Sequence, residues 1–203
     1  MTVTQDRKVE VVKKETPFQG YFRIDRYHLR HSQFKGGMGN VVSREIFERG
    51  HAAAVIPYDP TRDEVVLIEQ FRPGAFAAGD PNPWMIEIVA GIIDQGETPE
   101  DVARRESVEE AGMTLADLHR LGRFYMTPGG SSESITLFVG KCDATRAGGI
   151  HGLDEEGEDI RVFTEPFDTA YRMVLDNRIN NAMTSMAVLL LASCRETLRK
   201  EWV

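Results

Sequence analysis

Glu106, Glu109 and Glu110 fall in the run GIIDQGETPEDVARRESVEEAGM, Gly91 to Met113. Helical spacing puts the three carboxylates on an arc of roughly 100° of one face. Glu106 and Glu110 are like charges at i,i+4, and no basic residue follows to pair them. Glu109 and Glu110 also occupy the last turn, where the helix dipole is negative and an acid costs about 0.3–1 kcal/mol. A divalent cation would offset these penalties together. Hard carboxylate oxygens suit Mg2+ or Mn2+, and Mg2+ is usually held by few protein ligands plus substrate phosphates. Taken alone, such a cluster has a plain alternative, a solvated acidic face.

The elements that must carry these residues can be read from local signals. Thr98, Pro99, Glu100 and Asp101 form a helix start, with a hydroxyl cap, proline at the first helical position and acids in the positive first turn. Glu100 and Asp101 precede Arg104 and Arg105 by four residues, the favourable order for helical ion pairs. Gly112 is the expected stop. WMIEIVAG, ending at Gly91, reads as one strand that delivers the chain to this helix.

Upstream, HAAAVIPY and EVVLIEQF flank the turn Asp59 to Asp63 and read as a hairpin with an apolar core strand. Pro73 to Pro83 is expected to be a mobile loop. Downstream, Arg120 to Met126, ITLFVGKC and IRVFT are strand candidates, and Gly148 to Asp159 is a glycine-rich acidic loop. Two helices close the chain: Phe167, Ala170, Tyr171, Val174 and Leu175 share one apolar stripe, and Met183, Met186, Ala187, Leu190, Cys194 and Leu198 another. Residues 1–50 read as a separate β-rich piece, with strands over Lys8–Lys14, Gly20–Arg30 and Val41–Glu48. Three short strands are marginal alone, so this piece is expected to pack on the rest of the chain or on a second copy. The sum is an α/β (α+β) sandwich with a mixed sheet over residues 51–203, preceded by a small antiparallel sheet.

The composition narrows the function classes. A chain of 203 residues, 41% hydrophobic and 28% charged, is that of a folded domain with an appendage. A net charge of −8 argues against nucleic-acid and anionic-membrane partners. Two cysteines, Cys142 and Cys194, do not make a disulfide framework. The N-terminal MTVTQDRKVEVVKKE lacks an apolar core of signal-peptide type, so a cytoplasmic protein is expected. The five histidines have no metal-ligand spacing, and neither a P-loop nor a G-x-S-x-G motif is present.

Gly91, Glu97, Arg105-Glu106, Glu109-Glu110, Gly112 and Met113 match the Nudix box, G-x5-E-x7-R-E-U-x-E-E-x-G-U with U bulky and apolar, at eight of nine fixed positions; the departure is Ser107. The chain resembles the ADP-ribose pyrophosphatase branch of the Nudix hydrolases. Pro128 lies about fifteen residues past the box, as in that branch, and PGGSSE resembles its substrate loop. Arg44 to His51 resembles its segment joining the N-terminal sheet to the catalytic domain, and Glu156 to Arg161 its catalytic acidic loop.

The resemblance implies metal-dependent cleavage of ADP-ribose to AMP and ribose 5-phosphate. It implies Glu106, Glu110, Glu158 and the Ala90 carbonyl as metal ligands, with Glu97 and Glu109 in or beside that shell. Glu156 is implied as general base, and Arg105 as the residue that orients a box glutamate, a surface ion pair being its alternative. For substrate, Arg72 would meet a phosphate with its forked guanidinium. Glu133 would accept from a ribose hydroxyl, and Tyr21 or Phe22 would stack on adenine. Relatives exchange N-terminal sheets, so a homodimer is implied in which Arg44, Glu45 and Arg49 complete the partner's site. One rival keeps the chemistry with another nucleoside diphosphate sugar, such as GDP-mannose, or a dinucleotide. A second rival is a non-catalytic ADP-ribose sensor; such modules usually lose box carboxylates and add a DNA-binding region, whereas this chain keeps all four box glutamates and has no basic extension.

Overall fold

The computed structural model describes residues 7–203, so the first six residues of the N-terminal stretch lie outside the described residues. The chain divides into two compact units. The first runs through Gly50 and takes in Tyr125–Glu133; the second comprises His51–Phe124 and Ser134–Val203.

In the first unit, β1 (Val9–Gln19), β2 (Arg23–His31) and β3 (Val42–Glu48) form an antiparallel sheet in the order β1-β2-β3. Asp25 is its one buried strand residue, so charges rather than a core tie the strands together. The Asp25 carboxylate accepts from Lys14, Thr16 and Arg23, and Glu10–Arg30 and Arg26–Glu45 pair across the strands. The segment Tyr125–Glu133 is pinned to β3: Phe47 N–H donates to the Gly130 carbonyl at 2.8 Å and Ser132 Oγ donates to Glu48 at 2.6 Å.

The second unit contains β4 (Ala52–Asp59), β5 (Glu64–Phe71), α1 (Pro73–Ala77), β6 (Trp84–Glu87), β7 (Val89–Ile92), α2 (Pro99–Ala111), β8 (Leu118–Tyr125), β9 (Ser134–Lys141), β10 (Gly149–His151), β11 (Ile160–Pro166), α3 (Phe167–Leu175) and α4 (Ala182–Trp202). Its eight-stranded sheet has the order β10-β11-β5-β4-β9-β8, with β6 on β5 and β7 on β4. β4 runs parallel to β9 and antiparallel to β5 and β7, so the sheet is mixed. All eight residues of β4 are buried, as a strand covered on both faces requires. Ala53 and Val55 share a buried cluster with Val102, Ala103 and Ala111 of α2, while α4 packs on β4, β6 and β9. Side chains alternate along a strand, so the two helices cover opposite faces and an α/β/α sandwich results.

Three expectations need correction. WMIEIVAG is not one strand. β4 and β5 pair only at Tyr58–Val65 and Asp59–Glu64 and then diverge, and this segment fills the gap. It bonds β5 as far as Glu87 and β4 from Val89 onward. At the changeover, Ile88 N–H finds the Thr184 hydroxyl of α4 at 3.1 Å instead of a strand. Pro73–Pro83 is not wholly irregular, because Pro73 opens the short helix α1. The acidic loop contains β10, which pairs with β11. Both cysteines are free, and among the described residues no helix is long and apolar enough to cross a membrane.

Candidate active site

α2 is fixed at both ends. Thr98 and Asp101 form a reciprocal capping box, and Gly112 ends the helix at φ 62°. His151 closes over Gly112, where a Cβ would meet its ring at 2.5 Å, so glycine is required there twice over. The buried face of α2 presents Val102, Ala103, Ser107 and Ala111 to the sheet. Ser107, the departure from the box, is fully buried and donates to the Ala103 carbonyl at 2.7 Å, which satisfies the hydroxyl inside its own helix.

The carboxylates occupy the adjoining side. Glu110 is 3% exposed and accepts from Ala90 N–H at 2.9 Å. Glu106 reaches the backbone at Gly91 so closely that a Cβ there would lie 1.7 Å from its Oε1. Gly91 is therefore a matter of space, because any side chain would evict the carboxylate. Arg105 gathers three carboxylates. It donates to both oxygens of Glu97 at 2.9 and 3.1 Å, to Glu106 at 2.7 Å and to Glu109 at 2.9 Å.

One guanidinium does not neutralise this cluster. Burial pushes Glu106 up to about 7, with Glu109 and Glu158 adding repulsion against the opposing pull of Arg105. Burial likewise pushes Glu110 up to about 8 against the bond from Ala90, with Glu106 and Glu158 adding to it. Glu97, more exposed, is held below the usual carboxylate range by Arg105. Among the described residues no three His, Cys, Asp or Glu side chains already converge as a metal cage. Arg105 holds Glu106 and Glu109, and a backbone N–H holds Glu110. The donor set nonetheless fits a hard divalent cation, since burial and neighbouring carboxylates push half-buried Glu106 and buried Glu110 toward neutrality, which a cation would reverse.

The acidic loop is tied to the end of α2, Gly152 N–H donating to the Glu109 carbonyl at 3.2 Å. Glu158 is half-buried and accepts from Leu153 N–H at 3.1 Å, and its charge reaches both Glu106 and Glu110. Glu156 is exposed in a 3-10 turn, Asp154–Glu156. Arg72 is half-buried, close enough for its charge to act on Glu110, and bonded to Glu87.

The other expected substrate residues lie in the first unit. Arg49 pairs with Glu133 at 3.2 Å, which brings two of them together. Arg44 is exposed on β3, and Glu45 beside it is held by Arg26. Phe22 packs edge-on against Phe47 with Arg49 over its ring, whereas Tyr21 is 89% exposed. Reading by spacing missed Glu87, Gln70 and Asn181. A single acid inside the apolar WMIEIVAG was the available signal.

Residues 48–178 match the NUDIX domain. The chain is 47% identical over 194 residues to the ADP-ribose pyrophosphatase of Escherichia coli (strain K12), covering 96% of this chain and 92% of that protein. It is 39% identical to the ADP-ribose pyrophosphatase of Haemophilus influenzae over 96% of this chain and 90% of that one. It is 33% identical to the GDP-mannose pyrophosphatase of Enterobacter sp. (strain 638), over 86% and 90%. A crystal structure described as an ADP compounds hydrolase shares the fold, with a TM-score of 0.69 at 22% identity and 96% of each chain covered. With the matched domain, these relatives and four box glutamates gathered on and beside one capped helix, the chain belongs to the Nudix hydrolases.

Proposed function

We propose that this hydrolase cleaves the pyrophosphate of ADP-ribose to AMP and ribose 5-phosphate, with Mg2+ as its cofactor and Mn2+ as a substitute. The observation that carries the reading is the like-charged pair of half-buried Glu106 and buried Glu110 on one helix, pushed toward neutrality by desolvation and by neighbouring carboxylates. The substrate choice draws on relatives named ADP-ribose pyrophosphatases that match over nearly the whole chain.

Glu106, Glu110, Glu158 and the Ala90 carbonyl would hold the cation, with Glu97 and Glu109 beside them. Bound there, it supplies neutralisation of the phosphoryl oxygens and of the charge that develops on the leaving oxygen. Arg105 keeps the box glutamates aimed while the site waits. Glu156, exposed on its short turn, takes the proton of the attacking water when the loop closes on substrate. Arg72 meets the diphosphate, Glu133 accepts from a ribose hydroxyl, and Tyr21 or Phe22 stacks on adenine. The protein acts in the cytoplasm as a homodimer through its N-terminal β-domain, residues 1–50, with Arg44, Glu45 and Arg49 serving the partner's site; residues 51–203 form the hydrolase domain.

A second reading keeps every role and changes the base and sugar, and relatives named GDP-mannose pyrophosphatases favour it. Chromatographic product analysis decides between them, using ADP-ribose, GDP-mannose, other nucleoside diphosphate sugars and dinucleotides with Mg2+, with Mn2+ and with chelator. AMP and ribose 5-phosphate are expected as the main products, and only with metal. Turnover confined to a substrate without adenine would overturn the choice.

A further inference from the structure

The place where the chain changes ladders holds a polar group that the box does not explain. Glu87 is the last residue of β6 and the one buried residue of that strand, 2% exposed. A buried carboxylate is strongly unfavourable unless both oxygens are satisfied. Here they are. Oε2 accepts from Arg72 Nε at 2.7 Å and Nη2 at 2.6 Å, with Gln70 Nε2 at 3.4 Å. Oε1 accepts from Asn181 Nδ2 at 2.7 Å. Asn181 is itself held, because its Oδ1 caps α4 by accepting from Thr184 N–H at 3.0 Å.

We propose that Glu87 is a positioning residue, which aims the Arg72 guanidinium at the substrate diphosphate through a chain of hydrogen bonds running from the α4 cap by way of Asn181. The proposal rests on reading Arg72 as a diphosphate contact. Burial falls along the chain: the Glu87 side chain is 3% exposed, that of Arg72 39%. The anchor is in the core and the tip is open. Glu87 takes the Nε–Nη2 edge of the guanidinium and leaves the Nη1 amino group free of that bond. An arginine at the edge of a site otherwise samples many rotamers, and ordering it beforehand removes an entropic loss that substrate binding would incur. The changeover also sets the register. Three residues past Glu87, Ala90 donates to Glu110, so one short stretch of backbone fixes both the arginine's anchor and a box glutamate.

The test is a kinetic cycle on ADP-ribose, or on whichever nucleotide sugar of the panel is turned over fastest, with Mg2+. Glu87→Gln keeps the volume but sets an amide N–H against a donor; KM is expected to rise about tenfold while kcat falls less than about threefold. Arg72→Ala is expected to raise KM by at least about as much, and adding Glu87→Gln to it should change KM by less than about twofold. Asn181→Ser keeps an oxygen to cap α4 and removes only the donor to Glu87; a rise in KM of about threefold is expected with the melting temperature retained. Should Glu87→Gln fail to fold, Asn181→Ser alone and with Arg72→Ala carries the same cycle. An unchanged KM in folded Glu87→Gln, or an equal rise with and without Arg72, would overturn the anchor alone. A wild-type KM in Arg72→Ala would overturn the diphosphate contact, and the anchor with it.

Discussion

Two arginines, each set among carboxylates, lie with helices on opposite faces of the same sheet, and they are in opposite electrostatic condition. Arg195 of α4 binds Asp63 and Asp168, Arg199 adds a second positive charge beside Asp63, and Tyr58 donates to Asp63 at 2.7 Å. Burial alone would raise the Asp63 carboxyl, but the bonds from Arg195 and Tyr58 outweigh it and hold it below the ordinary range. Arg105 of α2 faces Glu97, Glu106 and Glu109 by itself, with Glu110 and Glu158 within reach of the same cluster, and burial wins at Glu106 and Glu110. A network that serves folding is balanced on its own. The one around Arg105 is left with an excess of negative charge, which on the proposed reading a divalent cation answers.

The largest effect that separates the two networks is on turnover. Glu106→Gln and Glu110→Gln are each expected to lower kcat by about a hundredfold or more with Mg2+ present, while the melting temperature does not fall, since a neutral amide removes buried repulsion. Near-normal rates in either variant would break the comparison. Asp63→Asn should do the reverse. Asparagine tolerates the φ of 57° at this position, and about 2 kcal/mol of unfolding free energy should be lost in urea titrations with kcat at 25 °C nearly unchanged.

A smaller effect lies in pH. Glu106 and Glu110 have folded values of about 7 and about 8 against an ordinary 4.5, so across that window the folded protein binds more protons than the unfolded chain. Stability without divalent cation should therefore fall as pH rises from about 5 to about 8 and level off above. Calorimetry should show that fall reduced by Mg2+, which favours the ionised forms, and reduced in Glu110→Gln. A melting temperature that rose through this window would contradict the excess of negative charge. The smallest effect is at Ser107. Ser107→Ala removes a hydroxyl bonded only within its helix, and a change within about 0.5 kcal/mol with unaltered kcat is expected.

What could be read before the structure was what local chemistry encodes. The Thr98 cap, the Gly112 stop and the apolar run of β4 follow from residues that are neighbours in sequence, and so do the like charges of α2. Trp84–Gly91 reads as one strand because periodicity says which residues are apolar, not which strand receives the backbone bonds. The helix at Pro73 is too short to show a period. Arg105 stood evenly between an orienting role and a surface pair, because only folding brings Glu97 back to meet it. Asn181 and Glu87 are 94 positions apart, so no spacing rule links them.

The bond from Gly152 to Glu109 has a consequence for the loop that follows. Four residue steps separate Gly152 from Glu156, and at full stretch they span no more than about 14 Å. Its root is moored to the helix that carries Glu106, Glu109 and Glu110, and its far end resumes the sheet at Ile160, so this stretch is short-tethered at both ends. The reach of Glu156 is thus set by chain length, and on the proposed reading of Glu156 as base, extra residues inserted after Gly152 would loosen its aim and lower kcat.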